Sequence, residues 1–350
     1  MTSAPSRVLI VLLGAIGDVV RALPLLQRLR AAWPQAQFAW AVEPAAAPIV
    51  EAHPALNQVI VFARAQGASA FLPFLRELRR WAPDLTLDLQ RHLKSGVSSW
   101  FSGAPRRVGF PWRNSREGNW LFNNERVSAV DRFSSKVGHF LSFADYLGVP
   151  ATPVDFGLHP SEAELARAGA LLDGAGERFA ALFLGSTWPS RQWFAQPTAL
   201  VCEGLRARGL TPVLIGAGGD VTFAREVAAA AKGPLVDCCG KTTLRDVIAI
   251  LARATIAIGP DSGPMHIAAA VGTPVVSLWG ATSPARSAPF GFEQLVLVGD
   301  APCVPCYLKR CPIGRLCMES ITPAAVLARV DAALSKVDAA LSTEHGFREG

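Results

Sequence analysis

Short apolar runs alternate in the first half of the chain with longer stretches in which apolar residues recur every three or four positions. Residues 8–13 read as a buried strand, and 19–33 as an amphipathic helix broken near Pro24 and ended before Pro34. Strand patterns follow at 38–42, 59–62 and 85–89, with a helix over 71–81. The pattern loosens at 150–160. Ser161, with Glu164 three residues on, then opens a helix as a capping box, running to about Asp173 and closed by Gly174. The second half repeats the alternation, with strands at 179–184, 212–215, 235–238, 256–258, 274–279 and 295–298. Its helices are expected at 197–208, 222–231, 243–252 (capped by Thr243, with Asp246 three on) and from Thr322 to about Val337. Alternating strands and helices predict parallel sheets covered by helices. The expected architecture is α/β, with two Rossmann-like domains at 1–158 and 159–337 and a tail at 338–350.

Composition supports two cores. The chain has 350 residues, 50% of them hydrophobic, with a mean hydropathy of +0.27, too long for one compact core. No run of about 18 uncharged apolar residues occurs, so no membrane span is expected. Arg7 followed by an apolar run has the order of a secretory leader. It lacks a small-residue cleavage site and passes straight into Gly14-Ala15-Ile16-Gly17-Asp18, so it reads as strand and loop. Seven cysteines without a leader imply reduced thiols. Between Leu89 and Lys136 stand nine Lys or Arg against three acids, a surplus equal to the chain's net charge of +6. Aromatics are interleaved there (Trp100, Phe110, Trp112, Trp120, Phe133). Such a segment suits an anionic lipid surface or an anionic acceptor, or is simply a solvated loop region.

The candidate chemistry lies in loops that follow strands. Gly17 and Asp18 follow the first strand, where open α/β sheets bind ligands. Asp18 is a candidate general base or a carboxylate favouring the next helix N-terminus. The turn Gly259-Pro260-Asp261-Ser262-Gly263-Pro264-Met265-His266 opens a small-residue helix. Free amides and a partial positive charge there suit a pyrophosphate. Asp261 would repel phosphates, so it fits sugar hydroxyls or a cationic group, and His266 is a hydrogen-bond donor to a phosphate or a core histidine. Ser186, Thr187 and Arg191 lie in another such loop, where an Arg fork can clamp phosphate oxygens. Asp220, after a Gly-rich turn, fits ribose hydroxyls or a helix cap. Cys303, Cys306, Cys311 and Cys317 crowd one loop. Four thiols can make a tetrahedral zinc site, but only one pair has the two-residue gap and the long knuckle between pairs is missing, leaving packed thiols as the other reading. No Walker loop, H-E-x-x-H, G-x-S-x-G or D-x-D pattern is present.

In order and spacing these motifs resemble glycosyltransferase family 9, the ADP-heptose:lipopolysaccharide heptosyltransferases. The likeness runs from Arg7-Val8-Leu9-Ile10 through Gly17-Asp18-Val19-Val20 and Leu23-Pro24. It continues in Leu93-Lys94-Ser95-Gly96, in Ser115-Arg116-Glu117-Gly118-Asn119-Trp120, and in 259–284, which ends Leu278-Trp279-Gly280-Ala281-Thr282-Ser283-Pro284. It also takes in the cysteine loop, 303–318. The resemblance implies a GT-B fold with sheets facing an interdomain cleft, acceptor on the N-terminal half and donor on the C-terminal half. It implies inverting transfer without a divalent metal or other cofactor, onto the lipopolysaccharide inner core (Kdo-lipid A or a preceding heptose). The base falls on Asp18, and donor-phosphate contacts on Ser186, Thr187, Ser262, Gly263 and His266. The family's phosphate-contacting lysine falls on Arg191, a departure. Asp220 stands where some relatives have Glu, Asp261 faces the donor sugar, and Gly17, Arg91, Lys94 and Arg116 serve the acceptor. The expected setting is the cytoplasmic face of the inner membrane, in peripheral contact with anionic lipid, with no nucleic-acid partner. A GT-B-like nucleotide-sugar epimerase and a non-catalytic nucleotide-sugar binder are the competing readings.

Overall fold

The computed structural model describes residues 4–346. They fall into two compact units, one ending at Leu158 and the other beginning at His159. The first is built on β1 (Arg7–Val11), β2 (Gln37–Val42), β3 (Gln58–Val61), β4 (Leu85–Asp88), β5 (Arg106–Gly109) and β6 (Glu125–Arg126). These pair in the order β3-β2-β1-β4-β5-β6, every neighbour parallel. Its helices are α1 (Ile16–Ala32), α2 (Ala47–Glu51), α3 (Ala68–Trp81), α4 (Leu93–Phe101) and α5 (Lys136–Tyr146). Val8 to Val11 have no exposed surface. A parallel strand covered on both faces requires such a continuous apolar run, each buried side chain contributing about 1.5–3 kcal/mol.

The second unit has α6 (Glu162–Leu171), β7 (Phe179–Phe183), α7 (Ala195–Arg206), β8 (Thr211–Ile215), α8 (Val221–Ala230), β9 (Val236–Asp237) and α9 (Leu244–Arg253). It continues with β10 (Ile256–Pro260), α10 (Gly263–Ala270), β11 (Val275–Trp279), α11 (Pro284–Ser287), β12 (Val296–Val298), α12 (Leu316–Glu319) and α13 (Pro323–Gly346). Its sheet runs β12-β11-β10-β7-β8-β9, again all parallel. Counted from its own first strand, each sheet has the same order. In each, the chain reverses direction of travel between its first and fourth strands, and the crevice at their carboxyl ends is where such sheets take ligands.

Two predicted details change. Helix α1 runs unbroken through Pro24, which is buried. The interior face of α1 packs against α5 and α2, and that packing outweighs the roughly 3 kcal/mol that an interior proline costs. Helix α13 continues past Val337 to Gly346, and the rest of the expected tail, 347–350, lies outside the described residues. Both predicted caps form. Ser161 Oγ accepts from the Glu164 amide (3.4 Å) and Glu164 Oε2 from the Ser161 amide (2.7 Å), with the same exchange between Thr243 and Asp246. Glu164 also grips Arg245 at 2.6 Å, tying α6 to α9. Among the described residues no helix is long and apolar enough to cross a membrane.

Candidate active site

In the first unit the reversal point lies between β1 and β4, and both loops that leave it carry polar residues. Asp18 sits on the first turn of α1, its amide bonded to Ala15 O, with Gly17 buried beside it. Its carboxylate is clasped by two cations, Arg21 Nη2 at 2.5 Å and Lys136 Nζ from the start of α5. The Asp18 side chain keeps a quarter of its surface exposed, whereas those of Arg21 and Lys136 are nearly covered. Burial alone would raise the Asp18 pKa. The charges of Lys136 and Arg21 outweigh it and hold the carboxyl below the ordinary carboxylate range. Asp18 is therefore ionised, as a base must be.

The loop after β4 is organised by a residue not singled out from the sequence. Asp88 ends β4 with no exposed surface. Its Oδ2 accepts from Asn119 Nδ2 (2.6 Å) and Asn123 Nδ2 (3.1 Å), and its Oδ1 from the Gln90 amide (3.1 Å). Gln90 Oε1 in turn accepts from the Leu13 amide (3.1 Å), which joins the β1 and β4 loops. Glu117, at φ +54°, accepts from the Leu93 amide at the head of α4. The Ser115–Trp120 motif thus pins α4 in place. Lys94, on α4, is held by Glu43 at 2.7 Å. Arg91 donates to His139 Nδ1 (3.0 Å) and lies 4.0 Å over the Phe110 ring, while the Arg116 side chain is exposed. Much of the basic segment is spent internally. Arg106 forks onto Glu125 at 2.7 and 2.8 Å, and Arg107 and Arg126 donate to backbone carbonyls. Its cations are therefore not one solvated patch.

In the second unit the reversal point lies between β7 and β10. Ser186 Oγ donates to the Asp261 carbonyl (3.0 Å), linking the two loops. The Asp261 carboxylate meets a cation. Arg191 Nη1 is 3.0 Å from Oδ2, which also accepts from Thr282 Oγ1 at 2.6 Å. The Arg191 guanidinium stacks 4.1 Å over Trp188. Of the four buried side-chain polar atoms without a hydrogen-bond partner among the described residues, the two in this unit are Arg191 Nε and Ser262 Oγ. Ser262 is the N-cap of α10, yet its hydroxyl caps nothing. Unsatisfied buried donors are rare and costly. A pair of them at a helix N-terminus, beside a guanidinium, forms a cradle with donors suited to an anion. His266 is buried on the first turn of α10, and Thr187 is exposed. Asp220 lies where the β7 and β8 loops meet. A Cβ on Gly185 would fall 2.3 Å from its carboxylate, so only glycine fits there. Asp220 also caps its own turn by accepting from the Ala217 amide (2.8 Å).

The cysteine loop buttresses this site. Ser190 Oγ donates to Leu308 O (2.6 Å), Arg315 Nη1 to Gln192 O (2.8 Å), and Trp193 Nε1 to Met318 O (2.9 Å). These bonds fasten the Arg191 loop. Burial, then the neighbouring Cys303, Cys311 and Cys306, push the Cys317 thiol up. Among the described residues no three His, Cys, Asp or Glu side chains are arranged to hold a metal, Cys303, Cys306, Cys311 and Cys317 included; of these four only Cys317 is buried, and Cys303 is exposed.

Arg191→Met removes the cradle's guanidinium while roughly keeping its bulk. Charge-assisted hydrogen bonds are worth about 1.5–3 kcal/mol, so the affinity for a nucleoside diphosphate probe, read by calorimetry, is expected to fall about 10- to 100-fold. Arg191→Lys, which keeps charge but not the fork, should fall between.

The family model of glycosyltransferase family 9 (heptosyltransferase) matches residues 71–316. The lipopolysaccharide core heptosyltransferase OpsX of Haemophilus influenzae is 27% identical over 83% of this chain and 83% of its own. Lipopolysaccharide heptosyltransferase 1 of Pseudomonas aeruginosa is 29% identical over 94% of this chain and 98% of its own. The solved structure of E. coli heptosyltransferase WaaC with ADP superposes with a TM-score of 0.73 at 24% identity, covering 94% of this chain and 98% of that one. That likeness is one of fold, the GT-B fold of two Rossmann-like domains. Its strand orders, its loop chemistry and the family match over most of its length make this chain a member of glycosyltransferase family 9, and a glycosyltransferase.

Proposed function

We propose that the protein transfers heptose from ADP-heptose to the inner core of lipopolysaccharide, onto Kdo-lipid A or a heptose already in place, with inversion and without a divalent metal. The observation that carries this reading is the cradle in the second unit, where unpartnered Arg191 Nε and Ser262 Oγ meet the N-terminus of α10. It fits the diphosphate of a nucleotide sugar. ADP is the nucleotide named with the solved WaaC relative, and lipopolysaccharide is named with both curated relatives. The first unit supplies the base. Asp18 takes the proton of the acceptor hydroxyl as its oxygen attacks the anomeric carbon, and the bond from that carbon to the diphosphate breaks on the opposite face. The charge that develops on the departing ADP is met by Arg191, the α10 amides and the Thr187 and Ser262 hydroxyls, and by Ser186 when its hydroxyl turns from the Asp261 carbonyl to the phosphate. Fixed positive charge of this kind does the work a metal does elsewhere. Asp220 receives the ribose, and Gly17, Arg91, Lys94 and Arg116 face the acidic acceptor. The setting is the cytoplasmic face of the inner membrane, with peripheral contact to anionic lipid.

The test is mass spectrometry of heptose-deficient lipopolysaccharide after incubation with the protein and ADP-heptose in excess EDTA, with the new anomeric configuration read by NMR. A gain of one heptose of inverted configuration is expected. Isomerised ADP-heptose with unmodified acceptor would identify an epimerase, and a product formed only when metal is restored would overturn the metal-free mechanism.

A further inference from the structure

In 89–136, Lys94, Arg106 and Lys136 are paired with carboxylates, while a basic surface without carboxylate partners remains where this segment meets the helix before it. Helix α3 carries Leu72, Arg76 and Arg79 at a spacing that puts them on one face. Opposite them, α4 ends in Trp100 and Phe101, and Arg107 of β5 closes the rim. Together they line a pocket of about 540 Å³. The pocket is apolar and basic at once. Leu72 is 60% exposed and Trp100 53% exposed, with the Phe101 ring set edge-on to Trp100 at 4.9 Å. Exposed large apolar side chains grouped in this way mark a contact surface.

None of the three arginines has a carboxylate partner among the described residues. Arg107 donates to the Phe122 and Ala104 carbonyls, which are neutral. The Arg79 guanidinium lies against Gly103, where a Cβ would fall 1.6 Å from Nη1. The one acid of α3, Glu77, accepts from Gln58 Nε2 (3.3 Å) on β3. Helix α4 has no acid at all. A soluble anion would be served by the guanidiniums alone. The exposed leucine, tryptophan and phenylalanine add the amphipathic rim suited to a bilayer interface, with aromatic and aliphatic groups at the level of the lipid headgroups.

We propose that this pocket between α3 and α4 seats the headgroup of an acidic phospholipid and is the surface by which the protein rests on a bilayer. The proposal rests on the peripheral-membrane part of the functional reading. It assigns that contact to α3, the last residues of α4 and Arg107 of β5, and shares no residue with Asp18 or the residues given to the acceptor.

The test is co-sedimentation of the full chain with vesicles of phosphatidylglycerol in phosphatidylcholine, and with phosphatidylcholine alone. The wild type is compared with Arg76→Glu/Arg79→Glu and with Arg225→Glu/Arg329→Glu, a pair of exposed arginines on the second unit. Both pairs change net charge equally. Each basic residue at an anionic surface is worth about fivefold in partitioning. The pocket pair should therefore lose at least about 20-fold of its binding to acidic vesicles, while the control stays within about twofold of wild type. Trp100→Ser, which removes no charge, should also bind more weakly. Equal losses in the two pairs would reduce the effect to net charge and overturn the pocket. A pocket pair that binds like wild type would overturn it too, while leaving membrane contact standing. A wild type indifferent to phosphatidylglycerol would overturn the membrane reading itself. The phosphates of a lipid-linked acceptor are the other source of the same chemistry, so turnover is also measured on a de-acylated, heptose-deficient core oligosaccharide. It should be unchanged in the pocket pair, and a loss there would move the pocket into the acceptor site and overturn the proposal.

Discussion

Asp18→Asn is expected to lower turnover by about 100-fold or more while ADP-heptose binding stays at the wild-type level. A factor of 100 corresponds to about 2.7 kcal/mol of transition-state stabilisation. Asparagine keeps the shape and one acceptor oxygen for Arg21 and Lys136 but cannot take a proton. The two cations, both nearly buried, lose their counter-charge. The variant's melting temperature should therefore be measured beside its rate, to separate lost chemistry from lost structure. The clasp also makes a pH prediction. Lys136 and Arg21 hold the Asp18 carboxyl below its ordinary range despite burial, so it stays ionised well into the acid. Its contribution to stability is present above the unfolded-state pKa of about 4 and disappears as pH falls through the folded value. An acid limb in kcat/KM that belongs to Asp18 should lie below about pH 4 in the free enzyme, and Lys136→Met should move it upward. A Lys136→Met profile superimposable on wild type would detach Lys136 from the base.

The second large effect is on folding. Asp88→Ala leaves Asn119 Nδ2, Asn123 Nδ2 and the Gln90 amide without their acceptor in a fully buried site. Each unmade buried bond costs about 1–3 kcal/mol, so the first unit should lose about 4 kcal/mol or more, roughly 10 °C in its melting transition. Because Asn119 and Asn123 brace α4 and the loop after it, acceptor KM should rise as well. Asp88→Asn, which keeps an acceptor oxygen, should lose far less. Burial pushes the Asp88 pKa up to about 6, and the amide donors only partly oppose this. The folded value thus exceeds the unfolded one near 4. Between those two pH values the folded state keeps a proton that the unfolded chain has released. This group's contribution to stability therefore falls as pH rises from about 4 to about 6. Urea melts across that range should show a slope in the wild type that Asp88→Asn lacks. Equal slopes would assign the titration to another group.

The elements legible in the sequence are those with an unmistakable period. The run before Gly14, the strand before Asp261 and the capping boxes at Ser161 and Thr243 declare themselves within a few residues, because strand alternation and cap chemistry are local. What stayed hidden is non-local. Lys136 and Asp18 are 118 positions apart and Glu43 and Lys94 are 51 apart, and neither pairing leaves a trace in spacing. Helix α4 went unpredicted because the face it buries is made of Ser95, Gly96, Ser98 and Ser99, and strands β5 and β6 because they are short and carry Arg106, Arg107, Glu125 and Arg126; helix α5 was missed although it buries Val137, Phe140 and Phe143. Asp88 read as an ordinary strand end. A signal was present in its solitary charge closing an apolar strand and in the two asparagines, Asn119 and Asn123, set four apart. Arg191 and Asp261 were picked separately as donor residues, but only the fold shows that they hold each other and that Arg191 Nε is left over.

In the proposed reaction heptose passes from ADP-heptose to a lipopolysaccharide acceptor, with Asp18 as base. The most direct measurement is ADP release from ADP-heptose with and without heptose-deficient lipopolysaccharide, for wild type and Asp18→Asn. Release that depends on the acceptor and is lost in the variant is expected. Release at the same rate without acceptor, or a variant as fast as wild type, would contradict it.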